Sequence, residues 1–252
     1  MKEKVCLIAG GSDVAGSEID GTDDSKYNRE NSFGNIVAKQ LGYRPINIAM
    51  TGSTNPSVMR SVIEWINTQY DPEKMDLFVI IGWTESSRME IPWIKSTPWE
   101  TYNSGADWYS ASANDYLRVN AGWAGTYHEE QVAIAECHRI MVSYGFFLEI
   151  ISANNILTIQ FLLKSLKIPY IMCNTLHMFT PLSHSTRQLK FYIEQIDRKR
   201  YINIINNNES FFTKYKTLGY VNPKAKYWHH DEKPHILYAG VLLKFIEENK
   251  CL

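Results

Sequence analysis

The sequence predicts an α/β fold, a three-layer α/β/α sandwich around a parallel sheet. Three observations carry that reading. Short continuous apolar runs at Lys4–Ala9, Ile46–Met50, Leu77–Ile81 and Ile168–Cys173 have the unbroken hydrophobicity of strands buried on both faces. Stretches with helical spacing separate them. The first three runs end at Gly10-Gly11, Thr51-Gly52 and Gly82, so the polar residues beyond them converge at the carboxyl edge of the sheet, where open α/β sheets bind ligands.

In chain order, the first strand meets a glycine turn, and the polar stretch from Ser17 to Asn31 reads as a loop. Ser32–Leu41 puts Phe33, Ile36, Val37 and Leu41 on one helical face, closed by Gly42. Asn55-Pro56 opens a helix to about Gln69, with proline at a favoured early position. A long aromatic segment from Trp83 to Tyr127 follows the third strand. His128 to about Lys167 is mainly helical, interrupted near Tyr144-Gly145. Gln188–Ile196, Glu209–Leu218 and Pro234–Glu248 read as the closing helices. The length of 252 residues suits one domain, 1–252, with an insertion at about 86–127.

Composition narrows the function. A formal net charge of −1 removes the electrostatic case for gripping nucleic-acid phosphates. The cluster Arg198-Lys199-Arg200 is short enough to be a solvated face. Cys6, Cys137, Cys173 and Cys251 lack any Cys-x-x-Cys spacing, so neither a disulfide framework nor a zinc knuckle is expected. The first apolar stretch is too short for a signal-peptide core or a membrane span, and the expectation is a cytoplasmic protein that binds no membrane.

Chemistry concentrates at two places. The first strand opens into Gly10-Gly11-Ser12-Asp13-Val14-Ala15-Gly16. Gly11-x4-Gly16-Ser17 imitates half of a phosphate-binding loop, but the lysine before Ser17 and any Gly-x-Gly-x-x-Gly turn are absent. A plain glycine turn is one reading, and a strand end that presents Ser12 as a nucleophile is another. A serine hydroxyl needs a base. Among the seven histidines, His128, His138, His177 and His184 lie in contexts that suit structural roles, whereas Trp228-His229-His230-Asp231-Glu232-Lys233-Pro234-His235 precedes the last helix in a loop. A metal site competes there, but no His-x-x-x-His pair completes a shell, so no metal is expected. A solvated polar loop is the third reading.

Four segments together resemble the SGNH (GDSL-like) hydrolases. They are Ile8 to Asp13 (I-A-G-G-S-D), Asn47 to Asn55 (N-I-A-M-T-G-S-T-N), Val79 to Glu85 (V-I-I-G-W-T-E) and His229 to Ala239, with His235 six residues after His229. The resemblance implies a flavodoxin-like parallel sheet, Ser12 as nucleophile and His229 as base. It also implies an oxyanion hole from the N–H groups of Ser12 and Gly52 with Thr84 in the third position, and no cofactor. Threonine after Gly-Trp, followed by Ser-x-Arg, resembles versions encoded by bacteriophages.

The chain departs from the family at three points. Gly11 replaces the usual aspartate before the serine, Thr84 replaces the asparagine of the oxyanion hole, and Lys226 stands where an aspartate normally orients the histidine. A Ser–His dyad oriented by a carbonyl, another carboxylate such as Asp231, and a degenerate site all remain open, with His230, Asp231 and His235 as alternates in the base or orienting role. Asn55, Trp83 and Arg88 are candidate substrate contacts, Arg88 either holding an anionic group or pairing with Glu85 or Glu90. The insertion's Trp93, Trp99, Tyr102, Trp108, Tyr109, Tyr116, Trp123 and Tyr127 form either a satellite core or a sugar- or partner-binding wall.

The expected function is a serine esterase or deacylase acting on a small acyl ester, on a carbohydrate by choice. The rival is an SGNH-fold structural or binding protein with weak or no catalysis, such as a virion component, for which a homo-oligomer or virion assembly is the expected partner. A metal-dependent hydrolase built on the histidine cluster is the third possibility.

Overall fold

From Val5 onward every residue of the first strand, β1 (Glu3–Gly10), is buried, with Val5, Leu7 and Ala9 turned to one side and Cys6 and Ile8 to the other. Only a strand covered on both faces tolerates that pattern. The computed structural model of the protein describes residues 1–92, 116–119, 129–143, 146–179 and 186–252. After β1 come α1 (Ser12–Ala15), α2 (Lys26–Glu30), α3 (Phe33–Gln40), β2 (Arg44–Asn47), α4 (Asn55–Gln69) and β3 (Met75–Trp83). The strands β4 (Met89–Pro92) and β5 (Tyr116–Val119) lead to α5 (Glu129–Ser143), α6 (Phe147–Ser165) and β6 (Tyr170–Asn174). The remainder holds α7 (Arg187–Ile193), β7 (Tyr201–Ile202), α8 (Phe211–Thr217) and α9 (Glu232–Glu248).

The central sheet has five strands in the order β2-β1-β3-β6-β7, every neighbouring pair parallel. One face packs on α4, α6 and α7 through Val62, Trp65, Ile156, Leu163 and Leu189. The other packs on α3, α8 and α9 through Phe33, Val37, Phe211, Tyr238 and Leu242. The three-layer α/β sandwich expected from the sequence is therefore the observed architecture. Among the described residues no single helix is long and apolar enough to cross a membrane.

Three local expectations shift. The second strand ends at Asn47 instead of running to Met50. The buried Asn47 side chain bends the backbone there: its Oδ1 accepts from Ala49 N–H at 3.0 Å while its Nδ2 donates to Asn35 Oδ1 at 2.8 Å. The stretch Ser17–Asn31, expected to be loop, contains α2, capped by the Ser25 side chain accepting from Asn28 N–H. A fifth strand, β7, has only two residues, too short for any periodicity to register.

The described part of the insertion is the antiparallel hairpin β4–β5, in which Glu90 pairs with Arg118. It is fastened to α4: Arg60 donates to both Glu90 oxygens at 3.1 Å, and its guanidinium lies 4.3 Å from the Tyr116 ring centre. Of the aromatic residues in the insertion, Trp93, Trp99, Tyr102, Trp108, Tyr109, Trp123 and Tyr127 lie outside the described residues, as do the proposed break at Tyr144-Gly145 and the histidines His128 and His184.

What positions the site is a pair of glycines. Gly10 and Gly82 face each other in register across β1 and β3, and α1 drops onto them through Val14. A Cβ on Gly10 would lie 2.3 Å from Val14 Cγ2 and 2.6 Å from the Gly82 carbonyl oxygen. Gly10→Ala is thus expected to destabilise the protein by about 1–3 kcal/mol through overpacking. Urea unfolding of the purified variant measures this, and a midpoint equal to wild type would contradict the packing account.

Candidate active site

The chain leaves β1 at Gly11 in an extended conformation and enters α1 at once, so Ser12 is its first residue. Its backbone N–H has no intrahelical acceptor at that position. Past α1 the loop winds tightly. Gly16 takes φ +76°, with the Asn28 carbonyl oxygen 2.3 Å from where a Cβ would stand, and Glu18 itself takes φ +64°. A non-glycine residue in the left-handed region is uncommon and costs about 1–2 kcal/mol, so something must hold it there.

What holds it is the loop ahead of α9. The Glu18 carboxylate accepts from Lys226 N–H at 2.6 Å, from Tyr227 N–H at 3.0 Å and from His229 N–H at 3.4 Å. It also pairs with the His229 ring, Nδ1 lying 2.7 Å from Oε2. Its backbone carbonyl accepts from Asn222 Nδ2 at 2.6 Å. The Glu18 side chain is 1% exposed. Burial alone would raise its carboxyl, but the hydrogen bonds from His229, Lys226 and Tyr227 outweigh burial and hold it below the ordinary glutamate value. Trp228 takes φ +73° in the same turn, which presents its ring to solvent (77% exposed).

Ser12 and His229 line one cleft of about 330 Å³. Asp13, Glu85, Arg88 and Lys216 give it charge, while Leu176, Phe212, Tyr227 and Trp228 give it apolar surface. A larger concavity of about 650 Å³ opens at the other end of the sheet beside Met1, Lys4 and Tyr70, and it contains none of the expected site residues.

Gly52 and Thr84 flank the serine turn. Met50 N–H donates to Gly10 O at 3.1 Å, which sets the turn Met50–Ser53 beside the end of β1. Gly52 occupies this turn with φ +72°. Its N–H donates to no described residue. Thr84 is fully buried and pinned by Asn55, which accepts from its N–H at 3.0 Å and donates to its carbonyl at 3.2 Å. The Thr84 hydroxyl has no partner among the described residues and lies 3.8 Å from an ideal Cβ on Gly11. A buried hydroxyl without a partner is rare enough to need a reason.

Several expected contacts go elsewhere. Asn55 and Trp83, read as substrate contacts, are fully buried and do not line the cleft; Gly52 and the fully buried Thr84 do not line it either, and stand beside the serine turn. Arg88 does line the cleft, paired to Glu85 at 2.7 Å, whereas Glu90 belongs to Arg60. Of the alternates for the base, His230 Nε2 is bonded to the Phe212 carbonyl at 3.1 Å within a cage of Phe211, Phe212 and Tyr215. Asp231 caps α9 by accepting from Lys233 N–H. His235 stacks on Phe33 and accepts from its N–H, and burial lowers its imidazole to about pH 3, with His230 and His229 adding to the effect. These three are structural because their polar atoms or rings are committed to the α9 packing.

The residue that sequence reasoning missed is Glu18. The resemblance places an orienting carboxylate at the position of Lys226, but Lys226 supplies a backbone N–H, and the carboxylate that meets the His229 ring comes from the opposite end of the chain. The available signal was an acid between Gly16 and Gly21, six residues past the serine, in a polar stretch that reads as a loop.

No protein-family model matches the chain, and no curated protein matches it. Among solved structures it is similar to a carbohydrate esterase at 11% identity and TM-score 0.42, over 98% of this chain and 66% of the other. It is similar to a carbohydrate esterase family 2 enzyme plus carbohydrate-binding domain from Corynascus thermopiles (Myceliophthora fergusii) at 13% identity and TM-score 0.47, over 99% and 67%. A member of the lipolytic protein G-D-S-L family from Veillonella parvula is similar at 9% identity and TM-score 0.38, over 97% of both chains. The chain spans about two thirds of the length of the two carbohydrate esterases.

Asp13 adds a measurable signature. It is 3% exposed, and its Oδ1 has no partner among the described residues. Burial raises its carboxyl above the ordinary value, with His229, His230 and Arg88 pulling the other way. A raised folded value means stability is whole below the unfolded carboxyl range, about 3.9, and is lost as pH rises through the folded value. Asp13→Asn is therefore expected to raise the melting temperature at neutral pH, with the gain vanishing in acid. A variant no more stable than wild type at neutral pH would show that this carboxyl is not desolvated.

Proposed function

We propose that the protein is a serine hydrolase acting on esters of small acyl groups, with Ser12 as nucleophile, His229 as base and Glu18 as the carboxylate that orients the base. The observation that carries this reading is the 2.7 Å contact between His229 Nδ1 and Glu18 Oε2 in the cleft that Ser12 lines. With its Nδ1 proton donated to Glu18, the neutral imidazole keeps Nε2 as a proton acceptor. In this reading Glu18 takes the role of the aspartate expected before the histidine, from a different position in the chain.

Nε2 takes the Ser12 proton as Oγ attacks the ester carbonyl carbon. Charge collects on the carbonyl oxygen, which accepts from the N–H groups of Ser12 and Gly52 and from the Thr84 hydroxyl, a donor with no partner among the described residues. Collapse breaks the bond to the leaving alkoxide, which takes the proton from His229. Water, deprotonated by the same nitrogen, then attacks the acyl carbon; the bond to Ser12 Oγ breaks, Oγ takes the proton from His229, and the acid is released. Glu18 stays ionised and holds the imidazolium that forms twice in the cycle.

The cleft supports a small, polar ester. Its charged walls do not suit a long acyl chain, and Tyr227 and Trp228, 51% and 77% exposed, offer flat faces at its mouth of the kind that stack on sugar rings. An acylated carbohydrate is the substrate class this surface favours.

Incubation with a fluorophosphonate probe is expected to label wild type and leave Ser12→Ala unlabelled. Absence of labelling at every pH where the protein stays folded would instead favour a binding role for the same fold. Glu18→Gln keeps an acceptor for the backbone N–H groups but removes the negative charge. It is expected to lower kcat on p-nitrophenyl acetate by roughly 10²–10⁴ with little change in KM. Undiminished turnover in that variant would remove Glu18 from the mechanism.

A further inference from the structure

We infer that Arg118, carried by the insertion hairpin, is a positioning residue for the oxyanion site: it grips the Thr51 carbonyl and thereby aims the Gly52 N–H. The inference rests on the reading of Gly52 as an oxyanion donor.

The turn Met50–Ser53 is closed by Ser53 N–H donating to Met50 O at 3.1 Å, and Gly52 sits in it with φ +72°. In such a turn the central peptide, here Thr51–Gly52, is the part that rotates most easily, since a turn with left-handed glycine and one without it differ chiefly by a flip of that unit. The flip matters for chemistry. A trans peptide is planar with its C=O and N–H pointing opposite ways, so the direction of one sets the direction of the other. One orientation offers an N–H to a developing oxyanion, and the other offers a carbonyl oxygen that would repel it.

Arg118 Nη1 donates to the Thr51 carbonyl at 3.2 Å and selects one orientation. A hydrogen bond from a cation also polarises the amide, which strengthens the N–H as a donor at its far side. The Thr51 side chain is held separately, its hydroxyl 2.9 Å from that of Ser17, the residue before Glu18. The strand that carries Arg118 is itself anchored. Arg118 stands in register opposite Glu90 across the hairpin, the Glu90 side chain is clamped by Arg60 of α4, and Arg60 lies against Tyr116. The insertion hairpin thus reaches the turn that carries Gly52 directly. It delivers a cation to the back of the oxyanion turn, while the loop carrying Ser17 and Glu18 holds the same turn from the other side.

The test uses the full-length protein with p-nitrophenyl acetate and with a boronic acid that forms a tetrahedral adduct on the serine. Arg118→Met is expected to lower kcat about 10–100-fold while KM moves less than about threefold, and to weaken the boronate by the same factor as kcat. Arg118→Lys, which keeps a cation and a donor without the guanidinium's reach, is expected to fall between the two. Unchanged kcat in Arg118→Met overturns the inference, as does a fall in kcat with wild-type boronate affinity. If Arg118→Met fails to fold, Arg118→Lys decides: wild-type kcat and boronate affinity there overturn it, and a parallel loss in both supports it. Fluorophosphonate labelling of wild type separates this from the broader reading, because a wild type that labels while Arg118 variants turn over normally rejects Arg118 alone.

Discussion

One buried carboxylate ties the loop after the first strand to the loop before the last helix. Glu18 lies 211 positions before His229, and its two oxygens collect backbone N–H groups from Lys226, Tyr227 and His229 together with the His229 ring. An ionised carboxylate without such donors would not stay buried. The demand runs both ways. The loop after α1 must hold Glu18 in a left-handed conformation, and the loop before α9 must turn at Trp228 in the same unfavourable region. Neither strain would persist unless the hydrogen bonds to the Glu18 carboxylate over-determined it. The imidazole orientation, the exposure of Trp228 and the joining of the first strand's loop to the last helix are consequences of this single arrangement.

The scaffold beneath is built from plainer physics. The central strands β1, β3 and β6 are buried on both faces, and Gly10 and Gly82 remove the side chains that would keep α1 away from the sheet's carboxyl edge. Ser12 therefore emerges on a turn pressed against the sheet, within reach of the loops from β2 and β3. Asn55 at the head of α4 ties Thr84 down from behind, and Arg118 and Ser17 hold the turn at Thr51. The residues that would touch substrate are few, and most of the polar contacts nearby fix backbone in place for them.

This division explains what could be read from the sequence. Strands such as Leu77–Ile81 announce themselves by unbroken apolar runs, and the glycine turns after them mark where ligand-facing residues must sit. The placement of Ser12, Gly52 and Thr84 just past strand ends was legible on that basis, whereas the roles proposed for them and for His229 rest on the resemblance of four segments to a known family. Glu18 was not legible, since its role depends on a partner at the far end of the chain and nothing local distinguishes it from a solvated loop acid. His235 misled for the opposite reason: its position in a histidine cluster suggested chemistry, and only packing against Phe33 and Phe211 shows it to be a core residue. Asn55, too, carries a motif's appearance while holding Thr84 from a buried position. Arg118 had no sequence signal, because hairpin register decides what it reaches.

The central claim, that Glu18 orients His229 for proton transfer with Ser12, is tested most directly by the tautomer of the His229 ring. Nitrogen-15 NMR of ring-labelled protein, recorded at a pH where the imidazole is neutral, distinguishes a protonated Nδ1 from a protonated Nε2. The account predicts the Nδ1–H form in wild type, leaving Nε2 free as the acceptor. A ring protonated at Nε2, with Nδ1 bare against Glu18, would contradict it.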